Sequence, residues 1–161
     1  MQSPRDIKKR IKSVSNTAQI TKAMEAVSAT KMRKSQEFAL AARPYAVASL
    51  EMLKNLITRI PVLPSLFQPR EVKASALLVV ASDKGLAGAF NSSVMRKAEN
   101  WIEARKKAGQ SYFLFTVGKK AKEYFERRGV EIKKSFWGFG DFSEFEETVV
   151  VSEILLTGFS S

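Results

Sequence analysis

Apolar positions along the first sixty residues recur at helical spacing with no break. Ile7, Ile11, Val14, Ala18 and Thr21 follow one another at intervals of four, three, four and three. That is the seam of a coiled coil, thinning to small and polar residues towards Thr21. Met24, Val27, Met32 and the stretch Phe38-Ala39-Leu40-Ala41-Ala42 extend the apolar surface. Ser3 is a good N-cap, Pro4 suits the first helical position, and Asp6 lies near the positive end of the helix dipole. The pattern predicts one helix from Pro4 to about Arg59, with Pro44 expected to kink or loosen it. Helices of globular proteins usually run about 8–20 residues, whereas this one reaches roughly 80 Å at about 1.5 Å per residue. A small domain cannot bury such a rod, so it must pair with another helix or pass through a partner.

The pattern changes after Ile60-Pro61-Val62-Leu63-Pro64, which its two prolines mark as a linker. Ala74–Ala81 is a short apolar run that fits a strand buried on both faces. Ser82–Gly88 follows as a loop. Asn91 is placed to cap the next helix, with Val94, Met95, Ala98, Trp101 and Ile102 on its buried face and Gly109 at its end. Tyr112–Val117 reads as a second strand, Lys119–Arg128 as a helix closed by Gly129, and Val130–Ser135 as a third strand. After the aromatic loop Phe136-Trp137-Gly138-Phe139-Gly140, Ser143 and Glu146 form a capping-box signature for a last helix to Thr157, followed by Gly158. The order β-loop-α-β-α-β-α predicts the α/β class, with a mainly parallel sheet in a partial three-layer domain. Three regions result: a basic shaft helix over 1–60, a linker over 61–72, and an α/β domain over 73–161 that is incomplete at its C-terminal end.

Charge sharpens the division. The 161-residue chain carries a formal charge of +11. Residues 1–60 hold 12 Lys/Arg against 4 Asp/Glu, a net of +8, and residues 61–161 hold 15 against 12, a net of +3. Lys8, Lys9, Arg10 and Lys12 cluster near the start, and Lys31, Arg33 and Lys34 form a second group. A basic rod calls for an acidic partner, whether nucleic acid, an anionic membrane or an acidic protein surface. With no cysteine and no histidine in the chain, disulfides, thiolate chemistry and Cys/His zinc sites are excluded, and the commonest general base is missing. No apolar run suggests a signal peptide or a membrane span, which gives a soluble protein of a reducing compartment as the simplest reading.

The candidate chemistry is thin. Ser82–Gly88 lies between a strand and a helix, where phosphate loops occur, but it fits neither GxGxxG nor GxxxxGK[ST]. Its glycines are better explained as turn residues. Ser82 and Asp83 lack a histidine for a triad. Glu144, Glu146 and Glu147 sit in the first turn of a predicted helix, where dipole stabilisation explains them better than a metal does. Phe136, Trp137 and Phe139 fit a core or interface role better than base stacking. No catalytic constellation remains.

Two long segments carry a resemblance. Residues 7–34, from Ile7-Lys8-Lys9-Arg10-Ile11 to Thr30-Lys31-Met32-Arg33-Lys34, together with Ala42-Arg43-Pro44-Tyr45, closely resemble the N-terminal helix of the gamma subunits of F-type ATP synthases. Val79-Val80-Ala81-Ser82-Asp83-Lys84-Gly85-Leu86-Ala87-Gly88-Ala89-Phe90-Asn91 resembles a second, separate segment of the same family. The resemblance covers nearly the whole chain. It implies a non-catalytic rotor, the central stalk, that couples proton flow through the membrane sector to ATP synthesis at the beta subunits and regulates ATPase activity. In that family the N-terminal helix pairs with a C-terminal helix as an antiparallel coiled coil inside a ring of alpha and beta subunits. The α/β domain meets the epsilon subunit and the ring of c subunits. The resemblance places Lys22, Met24, Lys31, Arg33, Ser82, Asp83, Lys84 and Gly85 among contacts to beta, and makes Ile7, Ile11, Val14, Ala18 and Thr21 the helix-pairing seam. It implies no cofactor, no nucleic acid, no small-molecule substrate of the chain's own, and a peripheral position on the cytoplasmic side of a bacterial-type inner membrane. Family members continue through further strands into the second shaft helix, so the chain reads as truncated before it. Competing readings from the residues alone are a nucleic-acid-binding basic coiled coil and a nucleotide-binding enzyme built on Ser82–Gly88.

Overall fold

The computed structural model describes residues 3–69, 71–140 and 145–160. The chain divides into two compact units between Val62 and Leu63. The first is dominated by α1, Pro4–Arg59, a single helix of 56 residues. The Ser3 hydroxyl caps its start by accepting the Arg5 N–H at 3.3 Å, and the Ile60 N–H closes its end on the Leu56 carbonyl at 3.1 Å. Pro44 lies inside the helix without ending it. The Thr17, Thr21 and Thr30 hydroxyls each donate to the carbonyl four residues back, which satisfies these polar side chains without a tertiary partner. No residue of α1 is buried.

The second unit starts with a 3₁₀ turn, Ser65–Phe67, and then alternates strands and helices: β1 Ala74–Val80, α2 Phe90–Lys107, β2 Ser111–Val117, α3 Lys119–Glu126, β3 Lys134–Phe136 and α4 Phe145–Ser160. The sheet order is β1-β2-β3. β1 and β2 pair in parallel from Ala74↔Ser111 to Val80↔Val117, and β2 pairs with β3 in parallel from Phe115↔Lys134 to Val117↔Phe136. This is the parallel α/β arrangement that the alternation of elements predicts.

Side chains alternate across a strand, so Leu77, Val79, Leu114 and Thr116 share one face of the sheet. Val79 and Leu114 pack with Met95, Ala98 and Ile102 of α2 and with Ala121 and Phe125 of α3. Phe125, Met95 and Leu114 are fully buried. Thr116 is buried too, and its hydroxyl donates to Ser135 Oγ at 2.9 Å, which removes the cost of an unpaired buried group. On the opposite face Val80 and Phe113 remain about half exposed. α2 and α3 are also joined at the rim. Glu99 accepts from the Tyr124 hydroxyl at 2.9 Å and pairs with Arg128 Nε at 2.6 Å, while the Arg128 guanidinium lies 3.6 Å from the Tyr124 ring centroid. Burial first, then the hydrogen bond to Glu99 and that carboxylate's charge, push the Tyr124 hydroxyl above the usual phenol range.

Four local expectations change. Asn91 does not cap α2: the helix begins at Phe90 with Ala89 at the cap position and no side-chain cap bond. β3 starts at Lys134, because the preceding segment is held differently. Gly129 has φ +65°, the Val130 N–H returns to the Phe125 carbonyl, and only at Lys133 does the chain reach β2, through Leu114 O at 2.8 Å. α3 ends at Glu126, with Arg127 as its cap. The last helix runs through Gly158 to Ser160. Of the proposed capping box, Ser143 lies outside the described residues, as does Glu144.

Candidate functional site

Two surfaces carry the sequence-predicted contact residues, and each belongs to a different unit. On α1, the seam residues Ile7, Ile11 and Val14 are 46%, 64% and 62% exposed. With Arg10 and Ser15 they line one shallow recess on the helix surface. Ala18 and Thr21 continue the seam and are exposed as well. At about 100° per residue, Met24 and Lys31 fall on one flank of this seam, while Lys22 and Arg33 fall on the other. The helix thus presents an apolar stripe bordered on both sides by cations.

The second surface is the loop between β1 and α2. It leaves the sheet at Ala81, whose N–H donates to Val117 O at 2.8 Å. The Ser82 N–H donates to Asn91 Oδ1 at 3.1 Å, Asn91 Nδ2 donates to Ser82 Oγ at 2.7 Å, and that hydroxyl donates to the Lys84 carbonyl at 2.5 Å. Ser82 O accepts the Lys120 N–H at 3.1 Å. Asp83 then joins three segments: Oδ1 accepts the Lys119 N–H at the start of α3 at 2.7 Å, and Oδ2 accepts the Gly138 N–H of the aromatic loop at 2.8 Å.

Gly118 makes this closure possible. A Cβ there would lie 2.0 Å from the Ala81 carbonyl oxygen, and its φ is +97°. Only glycine supplies that backbone and that clearance. Its N–H completes the junction on Phe136 O at 2.8 Å.

The rest of the loop faces outward. Every residue from Lys84 to Phe90 is exposed. Leu86 is 95% exposed and has φ +61°, a non-glycine residue in the left-handed region. Such a conformation costs an L-residue roughly 1–2 kcal/mol.

The four loop candidates Ser82, Asp83, Lys84 and Gly85 divide between two positions in the structure. Ser82 and Asp83 turn inward and hold the loop, whereas Lys84 and Gly85 lie on its outer side. As an anion cradle the loop is poor, because the Asp83 carboxylate already occupies the first N–H of α3 and would repel a phosphate. Among the described residues no group of three or more acidic side chains is placed to hold a metal ion. Gly118 has a structural role here that motif reasoning did not single out, and Asn91, expected as an N-cap, instead holds Ser82. The place of Gly118 between a strand and a helix was a readable signal for it.

The described residues thus combine a long helix with an exposed apolar stripe and a small parallel α/β unit whose β1–α2 loop is pinned by hydrogen bonds at Ser82 and Asp83. The chain belongs to the ATP synthase gamma family. A sequence model described as ATP synthase matches residues 3–161. The ATP synthase gamma chain of Crocosphaera subtropica is 40% identical over 158 residues, spanning 96% of this chain and 50% of the relative. That of Aquifex aeolicus is 42% identical over 135 residues, spanning 83% and 46%. Among solved structures, a chain from the central stalk and c-ring of Tetrahymena thermophila mitochondrial ATP synthase matches with a TM-score of 0.68 and 26% identity, covering 86% of this chain and 59% of that one. The chain spans about half the length of the curated relatives it matches. These relatives are subunits of a larger complex, and no comparison points to catalysis by this chain itself.

Proposed function

We propose that the chain acts as a rotor element of a proton-translocating ATP synthase, with α1 as one of the two helices of the shaft. The exposed seam of α1 carries this reading. Ile7, Ile11 and Val14 offer a stripe suited to a second helix, and apolar side chains at such positions normally insert between residues of a facing helix. Around the shaft stands a ring of alpha and beta subunits, and the cations flanking the seam meet acidic loops of beta. Lys22, Met24, Lys31 and Arg33 on α1, and Lys84 and Gly85 on the outer side of the loop, are the contact set, with Ser82 and Asp83 holding that loop in place. The nucleotide chemistry belongs to beta. Rotation of an asymmetric shaft would carry the catalytic sites through their states in turn, coupling proton flow to ATP synthesis.

The α/β unit would meet the epsilon subunit and the c-ring, placing the protein at the membrane surface on the cytoplasmic side of a bacterial-type inner membrane. No described helix is long and apolar enough to cross a membrane, which agrees with a peripheral position. Membrane vesicles carrying the remaining subunits test the proposal. ATP-driven proton pumping should appear when the chain, in its complete gamma context, is added back, and should be lost without it. Equal pumping with and without it would refute the rotor role.

A further inference from the structure

We propose that the α/β unit docks on an anionic lipid surface through the edge at which its strands begin. In a parallel β-α-β arrangement each helix runs back against the strands. The ends of α2 and α3 therefore reach the same edge as the starts of the strands. Cations gather there. Lys73 precedes β1, Arg105, Lys106 and Lys107 close α2, and Arg127, Arg128, Lys133 and Lys134 run from the cap of α3 into β3. Against these eight stand Glu71, Glu103, Glu126 and Glu131, a net of +4. Residues 61–161 carry +3 in total, so everything else in that half sums to −1. The three basic groups lie far apart along the chain, and only the topology brings them to one edge. Among the described residues, Lys73, Lys106, Lys107 and Lys134 are exposed and make no ion pair.

Aromatic side chains are set among these cations. Trp101 of α2 meets Tyr112 of β2 edge to face, with 6.2 Å between ring centroids. Arg105 lies 5.0 Å from the Trp101 ring centroid and donates to Gln110 Oε1. On the other face of the sheet Phe113 is 47% exposed, with the Lys133 ammonium 5.4 Å from its ring centroid. Cations beside half-exposed rings fit the headgroup layer of a bilayer, where phosphates meet the first acyl carbons. The kind of cation separates a membrane from an acidic protein. The unpaired members are lysines, compact charges on flexible stems, which suit many mobile phosphates. A fixed set of carboxylates is better matched by the planar fork of arginine. The two arginines held in place here, Arg105 and Arg128, already bond Gln110 and Glu99.

The inference deepens the rotor reading, which brings this unit to the membrane surface. Vesicle binding needs no other subunit, so its failure and that of the rotor reading are distinguishable. Because α1 is also basic, two variants of the full chain are compared, each losing three positive charges. One carries Lys106→Gln, Lys107→Gln and Lys134→Gln at the edge, and the other Lys8→Gln, Lys9→Gln and Lys12→Gln on α1. All six positions are exposed, so the fold is kept. Co-sedimentation with vesicles of phosphatidylcholine, alone or mixed with phosphatidylglycerol, measures affinity at about 0.15 M salt. A cation near an anionic surface strengthens binding about fivefold. The edge variant should bind the mixed vesicles at least about tenfold more weakly than the unaltered chain, and the α1 variant should lose less. Equal affinity of the edge variant and the unaltered chain would overturn the proposal. An equal or greater loss in the α1 variant would also overturn it, by assigning the binding to the helix or to total charge. No binding of the unaltered chain to the mixed vesicles would overturn it too, and would leave the edge to an acidic protein surface.

Discussion

Gly118 and Asp83 hold the same junction by different means, and their replacement should have different consequences. Gly118→Ala would drive a methyl group to within 2.0 Å of the Ala81 carbonyl oxygen at a φ of +97°, so backbone on both sides must move. Asp83→Ala removes two acceptors at 2.7 and 2.8 Å, but at a partly exposed site water can replace them. The alanine at 118 should therefore lower stability by about 2–4 kcal/mol, and the alanine at 83 by only about 1–2 kcal/mol. Urea midpoints of the two variants would check the order, and equal midpoints would contradict it. Neither role was readable in advance to the same degree. A glycine between strand and helix is a visible signal, whereas the partners of Asp83 lie 36 and 55 residues away along the chain. Local pattern carries no information about bonds at that separation.

Buried and exposed positions of the helices answer to different forces, and mutation should separate the two. Phe125 of α3 is fully buried in the core with Met95 and Leu114. Its truncation, Phe125→Ala, should cost about 3–5 kcal/mol. Ile11 of α1 is 64% exposed, so Ile11→Ala should change the stability of the isolated chain by less than about 0.5 kcal/mol. Calorimetry on both variants distinguishes a core residue from one reserved for a partner, and a large loss at Ile11 would mean that the seam is already occupied. Most element positions were legible because they rest on local causes: the helical period and the Ser3-Pro4 start fix α1, and the apolar runs fix β1 and β2. The start of β3 was less so. Val130–Ser135 has strand-like composition throughout, yet the Gly129 turn and the return of the Val130 N–H to Phe125 O delay pairing until Lys134. Asn91 was misread for a related reason. It has the right chemistry for an N-cap, but Ser82 competes for its side chain across the loop.

At the scale of the whole molecule, the chain concentrates its basic charge where it has no core. Of the formal +11, a net of +8 lies in residues 1–60, and no residue of the 56-residue α1 is buried. Helices in proteins draw most of their stability from tertiary packing of an apolar face, and α1 offers such a face without covering it. On the proposed rotor reading other chains cover it, a second shaft helix on the seam and subunits with acidic loops on the flanks. Hydrogen exchange over residues 4–59 measures that coverage directly, with the full chain in its gamma context compared alone and in the assembled alpha–beta ring. Seating of α1 in the ring predicts that its amides exchange at least about tenfold more slowly in the complex, because local opening must then break the packing as well. Exchange at the same rate in the presence and absence of the ring would contradict the account.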